Sequence, residues 1–241
     1  MYTQKSFPLL SWSRINLFEQ CQRCFYKEIV LRMKRPEIDA DRFSLSNVVD
    51  ELWKKELDAY RIKQIPHPLL ATHTNNAVPL IHESLDNWRD YKRGLRVIDR
   101  SHDLELYGVV DDILINAEKE LIVIDYKTTA NPSNIIQSLH MPSGRIHKRQ
   151  VSFYAFLLQE NGFKVNNEAF IVYSLALNNH EDFNQTLNFK TFVLPYQIDY
   201  SWLDSTIKAI RECLNCGSIP KASKNCKFCR YELTWKSNYE N

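Results

Sequence analysis

Tyr107-Gly-Val-Val-Asp-Asp-Ile-Leu-Ile115, and after a polar turn Leu121-Ile-Val-Ile-Asp-Tyr-Lys-Thr128, form the stretch on which the reading of this chain turns. Just upstream, Leu104-Glu-Leu-Tyr-Gly108 alternates apolar and polar as a half-buried strand does. Val109, Val110, Ile113, Leu114 and Ile115 predict a second strand, and Asn116-Ala-Glu-Lys-Glu120 the turn after it. Leu121-Ile-Val-Ile124 is a short β-branched run of the kind that fills a central strand. Asp111 falls on or beside the second strand, Asp125 ends the third, and Lys127 lies two residues on. Alternation puts Asp125 and Lys127 on one face, and strands about 4.8 Å apart let Asp111 meet Asp125.

Downstream, a polar loop at 131–143 leads to a helix at about 145–161 that Asn161-Gly162 ends. Strands are predicted at about 168–175 and 189–195, and a helix at about 199–214. Upstream, Leu17, Phe18, Cys21, Phe25 and Ile29 recur at helical spacing over 11–32, with Ser11 or Ser13 as cap. A second helix at 43–61 presents Leu45, Val48, Val49, Leu52 and Trp53, and a third is predicted at 76–93. Helices, three strands, helix, strands, helix is the order of an α/β fold with a mixed central sheet flanked by helices. The chain reads as one domain over 1–241: a helical part at 1–100, a core at 101–198, and a C-terminal helix with a cysteine-bearing tail at 199–241.

Composition agrees. The 241 residues are 44% hydrophobic and 25% charged, with 29 Phe, Tyr and Trp, which suits a globular chain with a sizeable core. Five glycines leave little for Gly-rich phosphate loops, and a net charge of +2 excludes a bulk basic binder, though not a local basic groove. The longest apolar run, Phe153 to Leu158, is six residues, far short of the roughly 20 that span a bilayer. The N-terminus lacks a charged-then-apolar leader pattern. The expectation is a cytoplasmic protein with no membrane partner. All six cysteines fall in Cys-x-x-Cys pairs, Cys21/Cys24, Cys213/Cys216 and Cys226/Cys229, a spacing that reduced compartments use for metals or redox chemistry.

Two carboxylates and an ammonium at a sheet end are costly unless a cation or substrate compensates them. Oxygen ligands favour Mg²⁺ or Mn²⁺, which polarise phosphodiesters and acidify bound water. Lys127 would orient that water or neutralise charge on phosphorus.

Gly108-Val-Val-Asp111, Asp125-Tyr-Lys127 and Gln150-Val-Ser-Phe-Tyr154, in that order, resemble the PD-(D/E)XK nuclease superfamily. They are most similar to its branch of RecB- and AddB-type nuclease domains and CRISPR-adaptation exonucleases. Ser11-Trp-Ser-Arg-Ile-Asn-Leu-Phe-Glu-Gln-Cys21 with Phe25-Tyr26 resembles the start of that branch. Ile219-Pro220 and Cys226-Lys-Phe-Cys229-Arg-Tyr231 resemble its end. The resemblance implies a restriction-endonuclease-like fold and a metal-dependent deoxyribonuclease. Asp111 and Asp125 would be metal ligands with the Tyr126 carbonyl as a third, and Lys127 the catalytic lysine. Gln150 and Tyr154, one helical turn apart, would face the site and DNA. Where the family has Gly-x-x-x-His, this chain has Ser46-Asn-Val-Val-Asp50, so Asp50 would replace the imidazole as ligand.

Arg145, Lys148 and Arg149 make a basic cluster at a helix start, a ready phosphate site, and Arg32-Met-Lys-Arg35 a smaller one. Nothing suggests base-specific readout, so DNA contact would be sequence-tolerant. A helicase or another repair or integration protein is an expected partner. In the resembling branch one N-terminal and three C-terminal cysteines hold a [4Fe–4S] cluster. Cys21, Cys226 and Cys229 match, but the fourth place is Trp235. Cys24, Cys213 or Cys216 could supply that thiolate. Alternatively Cys213, Cys216, Cys226 and Cys229 form a structural zinc set, or all six are free thiols. Two rivals to the nuclease stand: a catalytically inactive nuclease-fold DNA-binding subunit, and a metal-binding interaction protein built on the cysteines.

Overall fold

The computed structural model describes residues 7–33, 35, 44–133, 135, 142–178, 182 and 184–239. The strands are β1 (Leu9–Ser11), β2 (Val78–Pro79), β3 (Leu95–Asp99), β4 (Leu104–Gly108), β5 (Asp112–Ile115), β6 (Leu121–Thr129), β7 (Glu168–Ala176) and β8 (Phe189–Gln197). The helices are α1 (Trp12–Gln20), α2 (Gln22–Ile29), α3 (Ser44–Lys63), α4 (Pro68–Ala71), α5 (Leu85–Arg89), α6 (Pro142–Glu160), α7 (Leu203–Asn215) and α8 (Lys227–Tyr239). The expected α/β fold with a mixed sheet flanked by helices is observed, its strands divided between two sheets. A five-stranded sheet runs β2-β5-β6-β7-β8, and a three-stranded one β1-β4-β3. In the larger sheet only β6 and β7 are parallel, joined through α6; the other pairs are antiparallel.

Two compact units result. One is built from Met1–Ala40, Ile98–Tyr107 and Ser201–Asn241, the other from Asp41–Val97 and Gly108–Tyr200. The second holds the five-stranded sheet. Val49, Trp53 and Leu57, spaced four apart on α3, pack on the face carrying Ile122, Ile124, Tyr126, Phe170 and Val172. Trp53 stacks on Tyr126 with centroids 5.6 Å apart, and its indole N–H donates to Ser174 Oγ at 2.8 Å. The opposite face carries Val123, Asp125 and Lys127, and α6 packs against β6 and β7. In the first unit, Trp12 and Trp202 meet edge to face at 6.1 Å, and Phe18 and Phe25 at 5.3 Å.

Several local expectations are corrected. The helix predicted over 11–32 is two helices broken at Cys21, whose backbone is extended (φ −163°, ψ 104°). The helix predicted over 76–93 is mostly absent: Val78 and Pro79 pair with Ile115 and Leu114, and only Leu85–Arg89 is helical. Pro79 explains this, because it lacks an N–H for a helix interior yet is tolerated on an edge strand. On α3 only part of the expected apolar face is inward: Leu45, Val48 and Leu52 are 48, 51 and 57% exposed. β6 does not end at Asp125 but continues to Thr129, so Asp125 and Lys127 sit inside a strand. β1, β3 and α8 were not anticipated. Of the loop expected at 131–143, residues 134 and 136–141 lie outside the described residues.

Candidate active site

The register of β5 and β6 builds the centre of the site. Asp112 pairs with Ile124, so Asp111, one residue before β5, falls opposite Asp125. Its carboxylate accepts the main-chain N–H of Tyr126 at 2.9 Å. Asp125 is fully buried, and Lys127 reaches back along the same strand face to pair with its carboxylate. Lys127 Nζ also donates to the Tyr126 carbonyl at 3.3 Å. Asp125 Oδ1 is buried and has no hydrogen-bond partner among the described residues, an uncommon condition for a buried carboxylate oxygen.

The electrostatics follow from that crowding. Burial and then the Asp125 charge push the Asp111 carboxyl up to about 6, against Lys127, Lys54 and the Tyr126 N–H. Burial opposes the Lys127 charge, but Asp125 and Asp111 outweigh it and hold the ammonium above its ordinary pKa.

From α3 come Asp50 and a residue the sequence reading overlooked, Lys54. Lys54 Nζ is 2.7 Å from Asp50 Oδ2 and 4.0 Å from Asp111 Oδ1, so it bridges the two carboxylates. Burial and Asp111 raise the Asp50 pKa, with Lys54 opposing. The i,i+4 spacing of Asp50 and Lys54 was visible in the sequence, but that pairing is commonplace on helix surfaces. Among the described residues, the ligand-type side chains gathered closely enough to hold a metal ion together are four cysteines and not Asp50, Asp111 and Asp125.

On α6, Gln150 Nε2 donates to Tyr154 Oη at 3.0 Å, so the two residues do share a face. His147 stands one turn before Gln150 on the same helix. Burial and the charge of Lys127 lower its pKa to about 4, against a hydrogen bond with Gln150, so the ring is neutral near pH 7. Arg145 and Lys148 are exposed, while Arg149 is partly buried. Lys148 lies over the Tyr196 ring at 5.2 Å. Of the smaller basic cluster, Lys34 lies outside the described residues, and Arg35 pairs with Glu28 at 2.9 Å.

Asp112, beside Asp111, takes a different part. Its fully buried carboxylate is clamped by Arg61 and Arg89. It also accepts the Ile113 N–H at 2.7 Å and the Tyr126 hydroxyl at 3.2 Å. Gly108 has a packing reason: a Cβ there would lie 2.6 Å from Leu157 Cδ1 and 2.9 Å from Tyr154 Cδ1. In the other unit Cys21, Cys24, Cys226 and Cys229 gather, while Cys213 is buried and Cys216 exposed, outside that group.

No helix among the described residues is long and apolar enough to cross a membrane. Among curated proteins no sequence matches the chain. The solved crystal structure of SSO0001 is similar at 13% identity, covering 95% of this chain and 86% of that one with a TM-score of 0.42. Residues 34–233 match the profile of the PD-(D/E)XK nuclease superfamily. With most of its length inside that match, including every residue of the Asp111, Asp125 and Lys127 centre, the chain belongs to the PD-(D/E)XK nuclease superfamily.

Proposed function

We propose that the protein is a metal-dependent nuclease that hydrolyses DNA phosphodiesters. The observation that carries the reading is the juxtaposition of Asp111 and Asp125 across β5 and β6, with Lys127 on the Asp125 face. The donor set fits Mg²⁺ or Mn²⁺: hard oxygens, one of them the partnerless Asp125 Oδ1. Asp111, Asp125 and the Tyr126 carbonyl would hold the ion, with Asp50 as a further ligand. When bound, such an ion polarises the phosphodiester and makes water acidic enough to attack. Lys127, kept charged by its aspartates, offers N–H donors to the phosphate oxygens as charge develops on them. Gln150 and Tyr154 orient the strand beside it, and neutral His147 adds no charge to repel Lys127. Arg145, Lys148 and Arg149 neutralise flanking phosphates, which gives sequence-tolerant binding that weakens with salt.

The finer placement belongs to the same proposal. The motif order supports work in DNA repair, recombination or CRISPR or mobile-element processing, beside a helicase or integration protein. The experiment is a gel assay on linear and circular, single- and double-stranded DNA and on RNA, in Mg²⁺, Mn²⁺ or EDTA. Cleavage of DNA that EDTA abolishes is expected, and circular substrates then separate endonuclease from exonuclease. Folded protein inert on every DNA in both metals would overturn the reading.

One observation favours a second reading, a catalytically inactive DNA-binding subunit. Lys54 already neutralises Asp50 and Asp111 in the way a cation would. That reading requires DNA binding, without cleavage, that is indifferent to EDTA.

A further inference from the structure

Two short segments far apart in sequence make the most concentrated group of metal-binding side chains among the described residues. Cys21, between α1 and α2, and Cys24, one turn later, come from one end of the chain. Cys226, immediately before α8, and Cys229, in its first turn, come from the other. Each pair straddles a helix start in the same way: Phe25 N–H donates to the Cys21 carbonyl at 3.0 Å, and Arg230 N–H to the Cys226 carbonyl at 3.0 Å. All four sulfurs lie within 4.8 Å of one another. Cys21 and Cys229 Sγ are 3.8 Å apart, Cys24 and Cys226 3.5 Å, and Cys24 and Cys229 3.6 Å.

Those separations choose between inorganic groups. Four thiolates sharing one tetrahedral ion at Zn–S of about 2.3 Å have sulfurs about 3.8 Å apart. A [4Fe–4S] cube binds each thiolate to a different iron, which spreads the sulfurs well beyond that spacing. A cavity of 340 Å³ beside Cys21, Cys24 and Cys226 has room for a larger group, but Cys229 does not line it. The cluster that the family resemblance implies therefore does not fit these sulfurs. Arg35 and Lys227 line that cavity and supply positive charge beside what would be a dianionic centre. Lys27 of α2 pairs with Glu232 of α8 at 2.5 Å, holding the two cysteine-bearing helices together independently of any metal.

We infer that Cys21, Cys24, Cys226 and Cys229 form a mononuclear tetrahedral zinc site that closes the two ends of the chain onto each other within one unit. The inference stands whether or not the other unit cleaves DNA. Its donors are soft thiolates, suited to zinc and unsuited to Mg²⁺. Cys213 and Cys216 take no part.

The test is the metal and sulfide content of the full chain purified without oxygen. One zinc per chain, with iron and acid-labile sulfide at background, is expected. Cobalt exchanged into the site should give the visible bands of tetrahedral cobalt thiolate. Cys216→Ser should keep one zinc, and Cys229→Ser should lose at least half of it. Should Cys229→Ser fail to fold, the wild-type count and the cobalt spectrum decide. Several irons with matching sulfide per chain would overturn the inference. So would wild-type protein without metal whose four thiols all react with a thiol reagent under native conditions.

Discussion

Lys54 is the side chain placed to tune this candidate centre. It stands 2.7 Å from Asp50 and 4.0 Å from Asp111, where its charge competes with any cation the carboxylates hold. Removing it should tighten Mg²⁺. A unit charge at about 4 Å is worth about 1 kcal/mol in a watery surrounding, which is roughly a fivefold change. Lys54→Met is therefore expected to lower the Mg²⁺ concentration for half-maximal cleavage severalfold, read from a metal titration; an unchanged or raised requirement would refute that role. Asp112 is the opposite case, a carboxylate serving structure. Its ion pairs with Arg61 and Arg89 are buried, and removing one partner of such a group costs about 3–5 kcal/mol. Asp112→Ala should lower stability by that order in denaturant unfolding, whereas Asp111→Ala should leave the midpoint much nearer wild type. The sequence told these neighbours apart only through the Gly-x-x-Asp spacing. Nothing local marks Asp112, because Arg61 and Arg89 reach it from other elements.

At the scale of elements, the sheet was legible where periodicity was strong. The β-branched run at 121–124 marked β6, and the alternation at 104–108 marked β4. The polar loop before it and Asn161-Gly162 beyond it marked α6, which ends at Glu160. What failed was set by partners or by single residues. β2 exists because β5 pairs with it, and Pro79 rules out the helix expected over 76–93. β1 is three residues long and takes its form from β4, so its own sequence carries little signal. Gly108 connects this scale to the site, since its missing side chain lets Leu157 and Tyr154 of α6 close on the end of β4. A methyl group there forces a shift that costs about 1–3 kcal/mol. Gly108→Ala should lower the thermal midpoint and, by displacing Tyr154 and its Gln150 partner, reduce cleavage more than DNA binding. Equal loss of both would mean the glycine serves packing alone.

For the whole molecule, the candidate metal centres lie in different compact units and use different chemistry. Oxygen donors at Asp111 and Asp125 suit an exchangeable hard ion, and four thiolates suit a retained one. Motif order pointed to Asp111, Asp125 and Lys127, and the β5–β6 register brings them together. The cysteine set was not legible in this way. Three pairs at equal spacing allow several groupings, and only folding shows that 21 and 24 meet 226 and 229. A strong chelator should therefore act in two stages. Brief EDTA treatment should abolish cleavage reversibly, with Mg²⁺ restoring it. Prolonged treatment that strips the thiolate site should also lower the melting midpoint. Losing even about 2 kcal/mol shifts a chain of this size by roughly 4–8 °C. A midpoint unmoved after zinc is shown to be gone would contradict the closing role.

In the proposed function, Asp111, Asp125 and Lys127 act together on a phosphodiester. The most direct measurement is the single-turnover cleavage rate of wild type and Lys127→Ala in Mg²⁺ on one labelled DNA, with DNA affinity measured on the same samples. Loss of a positioned charge donor predicts a fall of about 10²–10³-fold in rate with affinity changed little. Lys127→Ala that binds DNA as before and cleaves it at the wild-type rate would contradict the account.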